Sequence, residues 1–416
     1  MTGSSSPARP SARSDSSLAR PSARFDFPSF VPPARVLLGP GPSQVAPSVL
    51  HALGLPTIGH LDPAFLGLLD QLRAMLREVI GTANELTLPM SGTGSLGMET
   101  CIVNLVEPGD RVLVGVNGVF GQRLAEVARR AGAEVCAVEF PWGRALDVDT
   151  LERAALDARA GSSTHSPARD FKLVCMVHAE TSTGVLTPIA PFRALADRLG
   201  ALLLVDAVTS LGGVPVAMDA VGADALYSGT QKCLSCPPGL SPVSFSPRAL
   251  KVIQQRAKPP QSWYLDLGLI AKYWGGERLY HHTAPINMLY GLHEALRLVL
   301  SEGLEARYAR HREHSAALAS GLEALGLSLL VPESERLPPL TLVSVPAGVD
   351  DARVRRRLLD RDGIEIGGGL GPLKGRAWRI GLMGESCTAQ HVALVLRALR
   401  DALAAEGLTV PESPAS

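Results

Sequence analysis

Lysine is scarce in this sequence. Only six of its forty basic side chains are lysine, at 172, 232, 251, 258, 272 and 374, and the others are arginine. A merely solvated lysine is easily replaced in such a composition, so a lysine in uncharged surroundings draws attention to its one distinct property, an ammonium whose pKa falls readily on burial. Net charge is missing too: forty acidic residues balance forty basic ones, with no long basic block. That balance argues against nucleic acid or a membrane surface as the main partner. No uninterrupted apolar run approaches the ~18 residues that span a bilayer. Cysteine is limited to positions 101, 136, 175, 233, 236 and 387. Most lie in apolar segments, which reads as reduced core thiols of a cytoplasmic protein and not as a disulfide framework. Cys233 and Cys236 have a metal-binding spacing, but no second such pair exists to complete a zinc site. What is present, 46% apolar and 19% charged residues over 416 positions, suits a globular chain of two domains.

Residues 1–30 are Ser, Ala, Pro and Arg with little to bury, which reads as a disordered tail. Arg9, Arg13, Arg20 and Arg24 make an organelle-targeting segment the alternative. The Gly and Pro run from Leu37 to Ser43 reads as a strap against the body of the protein. Pro63 opens a helix with apolar residues at 65, 69, 72, 76 and 79. From Glu85 to Pro285, strand-length apolar runs alternate with helical segments: 86–89, 112–116, 134–138, 173–177 and 202–205, then 225–227. This is the pattern of an α/β fold with a mostly parallel sheet covered on both faces. Residues 160–169 read as a surface loop. Beyond Pro285 a long helical stretch reaches Leu325, followed by strand-like 340–345, 364–366 and 377–382 with helices near 351–361 and 388–405. The boundaries expected are 31–285 for the strap and large domain, 286–405 for a smaller α+β domain, and 406–416 for a tail.

In parallel sheets ligands bind beyond the carboxyl ends of the strands. Four features fall there. Ser91-Gly92-Thr93-Gly94-Ser95 opens a helix whose free N–H groups favour an anion. Asp206 ends the most apolar run of the chain and needs a partner, which a pyridinium N–H could provide as well as an arginine or a helix start. Thr181, Ser182 and Thr183 cluster hydroxyls after another strand. Phe120, in a glycine-flanked turn, could stack on a planar ligand or pack into the core. Lys232 follows the turn Ser228-Gly229-Thr230 and sits among Cys, Leu and Pro, where a lowered pKa would free an amine for Schiff-base chemistry. Phosphate, ring nitrogen, ring face and aldehyde of pyridoxal phosphate would each have a partner.

The motifs Leu38-Gly-Pro-Gly-Pro-Ser43, Ser91-Gly-Thr-Gly94, Glu180-Thr-Ser-Thr-Gly-Val185, Leu203-Leu-Val-Asp206, Tyr227-Ser-Gly-Thr-Gln-Lys232, Tyr280-His-His-Thr283 and Arg379-Ile-Gly-Leu382 resemble those of class V, fold-type I pyridoxal phosphate aminotransferases. The similarity runs from about Val36 to about Leu403 and points to the alanine–glyoxylate and serine–pyruvate branch. It implies a seven-stranded, mostly parallel sheet in the large domain. It also implies roles. Lys232 would bind the cofactor covalently and move the substrate Cα proton, and Asp206 would pair with the ring nitrogen. Val208 would pack beneath the ring and Phe120 above it, where animal members carry Trp. Thr181 would lie near the ring hydroxyl. Gly94, Ser95 and Gln231 would bind phosphate, with Thr93 beside them in the cofactor site and Tyr280 and Thr283 reaching in from the neighbouring subunit of a homodimer with shared sites. Arg379 would clamp the substrate carboxylate, with Gly41 close by.

The activity so implied is transfer of an amino group from alanine or serine to glyoxylate. Ureidoglycine–glyoxylate aminotransferase is the nearest alternative. A cysteine desulfurase would need a mobile thiol, for which Cys387 is the candidate, and a non-catalytic pyridoxal phosphate-binding protein would not need Lys232, Asp206 and Arg379 together.

Overall fold

The strands form where β-branched and leucine residues run together, and the glycines after them turn the chain back into helices. The computed structural model describes residues 3, 27–160 and 170–408. Most of the 1–30 tail, the 160–169 loop apart from Ala160, and the last eight residues lie outside them. Two units are distinguished, Met1–Ala34 and Arg35–Ser416. Of the first, residues 27–34 run without helix or strand.

In the second unit seven strands make the main sheet: β1 (Leu86–Ser91), β2 (Arg111–Val116), β3 (Glu134–Glu139), β4 (Phe171–Val177), β5 (Leu202–Asp206), β6 (Ala225–Tyr227) and β7 (Leu240–Phe245). Their order across the sheet is β1-β7-β6-β5-β4-β2-β3. β7 runs antiparallel to both neighbours, and the other pairings are parallel. β5 is buried at every position, as a central strand covered on both faces must be. Helices Gly94–Leu105, Val119–Arg130 and Ala190–Arg198 return the chain between strands. The helix Pro63–Ile80 starts on Asp62, which accepts from Ala64 N, with Pro63 in its first turn, and stops at left-handed Gly81, the expected punctuation at both ends.

β7 was not anticipated. Its sequence, LSPVSF, carries a proline and two serines, which argue against a central strand. In the fold Pro242 stands opposite Pro89, so both missing N–H groups fall at one rung of the ladder. The serines are satisfied inside, Ser241 Oγ donating to Ser228 O at 2.5 Å and Ser244 Oγ pairing with Thr87 Oγ1 at 2.9 Å.

The stretch expected as one long helix is two, Ile286–Glu302 and Leu304–Ala324, broken at Gly303 with φ of 84°. The first buries Ile286, Leu289, Leu292, Leu296 and Val299 in the large core, although it was expected in the second domain, while Leu318 and Leu322 of the other enter a separate core. That second core backs a three-stranded sheet of β8 (Leu340–Ser344), β9 (Gly367–Gly368) and β10 (Ala377–Gly381), in the order β8-β10-β9. The strap Val36–Leu37 pairs in parallel with Ile364–Glu365 and sends Leu38 into this second core. It thereby carries the following Gly-Pro residues to the carboxyl ends of the main strands.

Candidate active site

β5 ends on Asp206 and β6 on Tyr227, adjacent in parallel register. The phenol of Tyr227 donates to Asp206 Oδ2 at 2.6 Å, and Val208 N donates to Oδ1 at 2.8 Å. Burial outweighs these two bonds and raises the carboxyl to about 6, since the charged form has lost its water. Two residues beyond the turn after β6, Lys232 is 8% exposed. Its amine donates to Pro40 O of the strap. Burial first, and the Arg379 guanidinium second, lower this amine to about 8.

The peptide carbonyls around Lys232 are all engaged. Gln231 O accepts from Ser43 N at 2.9 Å, and Lys232 O accepts from Ser43 Oγ at 2.7 Å. Gly41, with φ of 105°, lies so close that a Cβ there would stand 2.8 Å from Lys232 Nζ. Glycine is required at 41 by its backbone angle and by this contact together.

Thr93, Gly94, Ser95, Phe120, Asp206, Val208, Gln231 and Lys232 line one cavity of about 130 Å³, together with Met98, Arg123 and Tyr227. Thr93 precedes the helix Gly94–Leu105 without a side-chain cap, so the helix start faces the cavity with N–H groups available to an anion. Gln231 Oε1 is buried with no hydrogen-bond partner among the described residues, which is costly unless a ligand meets it.

Phe120 is not in a turn, as the glycines around it suggested, but in the first turn of the helix Val119–Arg130. The cap of that helix comes from a distant segment. Ser182 Oγ accepts from Val119 N at 2.9 Å, and Glu180 Oε2 accepts from Phe120 N at 3.1 Å and Gly121 N at 3.3 Å. Glu180 Oε1 takes Ser182 Oγ at 2.5 Å and Ser182 N at 2.9 Å. Fully buried, Glu180 is raised above the usual carboxylate range by desolvation, against the pull of these donors. The guanidinium of Arg123 lies 5.0 Å from the centre of the Phe120 ring, on the cavity rim.

Arg379, on β10, donates Nε to Gly368 O at 2.8 Å and Nη1 to Thr181 O at 3.3 Å. These bonds hold a buried guanidinium, lowered by desolvation, close enough to Lys232 to lower its amine, but neither Arg379 nor Thr181 is among the residues that line the cavity. Tyr280 and Thr283 do not line the cavity of their own chain either. Tyr280 is 61% exposed and tilts against the His60 ring at 5.1 Å.

Glu180, Tyr227 and Arg123 were not singled out from the sequence. A tyrosine inside a strand reads as core, and nothing in the sequence ties a glutamate after β4 to a helix start sixty residues earlier. The six cysteines are free, and five of them are buried. Burial holds Cys387 up at about 11 and Cys233 and Cys236 at about 12, far from the low values of nucleophilic thiols. Among the described residues no group of three or more His, Cys, Asp and Glu is placed to hold a metal ion.

A larger concavity of about 830 Å³ opens at the amino ends of the parallel strands. Much of its charge is engaged locally: Arg193 pairs with Asp224 at 2.6 Å and with Asp197 at 2.7 Å, and Thr82 Oγ1 donates to Asp219 at 2.6 Å. Buried, pKa-shifted groups lie instead in the smaller cavity at the opposite end, which makes it the candidate reactive site.

Comparison with known proteins agrees with this geometry. Over residues 50–373 the chain matches the family model described as aminotransferase class-V. It is 44% identical over 375 residues to the alanine–glyoxylate aminotransferase of Callithrix jacchus, covering 89% of this chain and 88% of that one. It is 40% identical over 389 residues to the (S)-ureidoglycine–glyoxylate transaminase of Bacillus subtilis, covering 89% and 91%. The crystal structure of the alanine–glyoxylate aminotransferase from Nostoc sp. superposes with a TM-score of 0.88 at 47% identity, covering 93% of this chain and all of that one. With a buried lysine, an acid at the end of a central strand and an uncapped helix start converging in an α/β fold, the chain belongs to the class V aminotransferase family.

Proposed function

We propose that the protein is a pyridoxal phosphate-dependent aminotransferase that moves the amino group of alanine or serine to glyoxylate, giving glycine and pyruvate or hydroxypyruvate. The observation that carries this reading is the convergence of Lys232, Asp206 and Arg379, one amine, one acid and one guanidinium, each shifted from its ordinary pKa by burial. The residues fit the cofactor. The orphaned Gln231 Oε1 and the helix start at Thr93, Gly94 and Ser95 offer donors and an acceptor to a protonated or ionised phosphate. Among the described residues Asp206 is in no ion pair, and a pyridinium would supply a cationic partner. Phe120 and Val208 would flank the ring, with Thr181 near its hydroxyl. Bound pyridoxal phosphate would supply the aldehyde and the electron sink.

The chain's own residues do the rest. Lys232, near 8, is within reach of neutral pH in both protonation states, as a general base and acid at the substrate Cα must be. Asp206, held in place by Tyr227 and Val208, would keep a proton on the ring nitrogen. Arg379 would take the α-carboxylate of every substrate in a bidentate grip, so both halves of the transfer use one site. The buried, high-pKa Cys387 lacks what a desulfurase thiol needs.

The Bacillus subtilis relative makes (S)-ureidoglycine the alternative donor. A panel of alanine, serine and (S)-ureidoglycine against glyoxylate tests the assignment. Alanine or serine should give the highest kcat/KM. A tenfold or greater preference for ureidoglycine would reassign the donor, and no transfer from any of the three would overturn the reading.

A further inference from the structure

Arg307 lies in the first turn of the helix Leu304–Ala324 and is 1% exposed. A buried cation at a helix start opposes both desolvation and the helix dipole, so what it holds must offset two penalties. All three guanidinium nitrogens are used. Nη2 donates to Cys233 O at 2.7 Å, Nε to Gly212 O at 3.0 Å and Nη1 to Glu302 Oε2 at 2.5 Å. Cys233 is the residue after Lys232, and Gly212 lies in the turn after Asp206.

The same helical turn also grips the segment that follows β10, the strand of Arg379. The carbonyl of Arg307 accepts from His311 Nδ1 at 2.8 Å, and His311 Nε2 accepts from Gly384 N at 3.0 Å. Those two bonds fix the neutral tautomer, in a ring that burial lowers to about 3. Arg310 Nη1 donates to Gly384 O at 3.0 Å and to Cys387 O at 2.6 Å. Glu302 joins the two arginines, accepting from Arg310 Nε at 2.6 Å as well. The two held segments also touch directly. A Cβ on Gly384, whose φ is 53°, would collide with Ser235 Oγ and stand 2.8 Å from Cys233 O, and Glu385 N donates to Ser235 Oγ at 2.8 Å.

We propose that Arg307 is a positioning residue that sets the distance between Lys232 and Arg379: its guanidinium holds the Lys232 loop, and through Glu302 shared with Arg310 that hold is tied to the segment after the Arg379 strand. Lys232 must meet the substrate Cα while Arg379 holds the carboxylate on the next carbon, and the two groups sit on different lobes with separate apolar cores. A lysine at 307 keeps the charge but not the planar fork that reaches two carbonyls and a carboxylate together. The inference rests on the transamination reading for the tasks given to Lys232 and Arg379.

The test compares Arg307→Lys with Arg310→Lys and with Val395→Ala, a core truncation in the smaller lobe away from the clasp. The first readout uses cofactor-free protein: competitive acetylation across pH, mapped by peptide, gives the titration midpoint of Lys232. Arg307→Lys should raise that midpoint by about half a pH unit or more as water reaches the loosened loop. In the loaded enzyme it should lower kcat and raise the donor KM, each by roughly tenfold. Arg310→Lys, which removes bonds to the segment after the Arg379 strand and none to the Lys232 loop, should raise KM and leave the midpoint alone. Val395→Ala should lower the melting temperature and move neither. An Arg307→Lys protein with wild-type midpoint, kcat and KM would overturn the proposal, as would one whose changes match those of Val395→Ala. Should Arg307→Lys not fold, an Arg310→Lys protein with unchanged KM overturns it instead. Because the acetylation midpoint involves no substrate, failure of the wild type to transaminate would refute the functional reading without deciding the clasp.

Discussion

Burial drives Lys232 and Asp206 toward each other on the pH scale, the amine down from 10.5 to about 8 and the acid up from 3.8 to about 6. The unfolded chain binds the Lys232 proton more tightly, so stability rises with pH between about 8 and 10.5 and the full penalty is felt below 8. For Asp206 the folded state binds the proton more tightly, so stability falls as pH rises from 3.8 to 6. At pH 7 both penalties act in the cofactor-free protein. Cofactor-free Lys232→Met should therefore be more stable than wild type at pH 7, by up to about 3 kcal/mol. Its advantage should shrink as pH climbs from 8 to 10.5. Thermal melts across that range check this, and a constant advantage would contradict it. With cofactor present, Asp206→Asn should retain it but slow Cα proton removal by about 3 kcal/mol. Near-native deuterium exchange at the substrate Cα would count against the role given to Asp206. These two groups could be picked out from the sequence because scarcity and position mark them: one isolated lysine and one acid at the end of an apolar run. Tyr227 had no such mark, since its partner depends on strand register.

At the scale of elements, the helix Val119–Arg130 has no cap of its own and borrows one from Ser182 and Glu180. Glu180→Gln would replace an acceptor of four N–H and O–H bonds by a group that is half donor. The expected cost is about 1–3 kcal/mol, with faster hydrogen exchange at the Phe120 and Gly121 amides. Unchanged protection at those amides would show that the cap is not what orders Phe120. The parallel strands were legible because each is a run of apolar, often β-branched residues with a turn behind it. β7 was not, because Pro242 fits only opposite Pro89 and Ser244 only against Thr87, both on a strand far away in sequence, while Ser241 is satisfied by the turn at Ser228. Similarly, the break at Gly303 is one glycine within a continuous helical pattern, and glycine alone does not say whether a helix bends or stops.

At the scale of the molecule, Leu55, Leu61, Trp263, Leu279 and Tyr280 are exposed apolar side chains. Several lie in or against the loop that carries Tyr280 and Thr283, and Trp263 stacks on His281 at 4.2 Å. An exposed apolar group of this kind suits an interface, and a homodimer exchanging this loop would bring Tyr280 and Thr283 to the partner's phosphate. Mixing inactive Lys232→Ala with an inactive protein carrying Tyr280→Ala and Thr283→Ala should then restore activity once subunits exchange, because one site of each hybrid is whole. Exchange confirmed by mass without recovered activity would remove the shared site. Fold and catalytic groups answer to one question above all, whether nitrogen moves between two carboxylate-bearing substrates through this cavity. The most direct measurement supplies nitrogen-15-labelled alanine with unlabelled glyoxylate to the pyridoxal phosphate-loaded protein and follows the label by mass spectrometry. Labelled glycine should accumulate in equal amount with pyruvate, and should be lost in Lys232→Ala. Pyruvate without labelled glycine, or the same transfer in Lys232→Ala as in wild type, would contradict it.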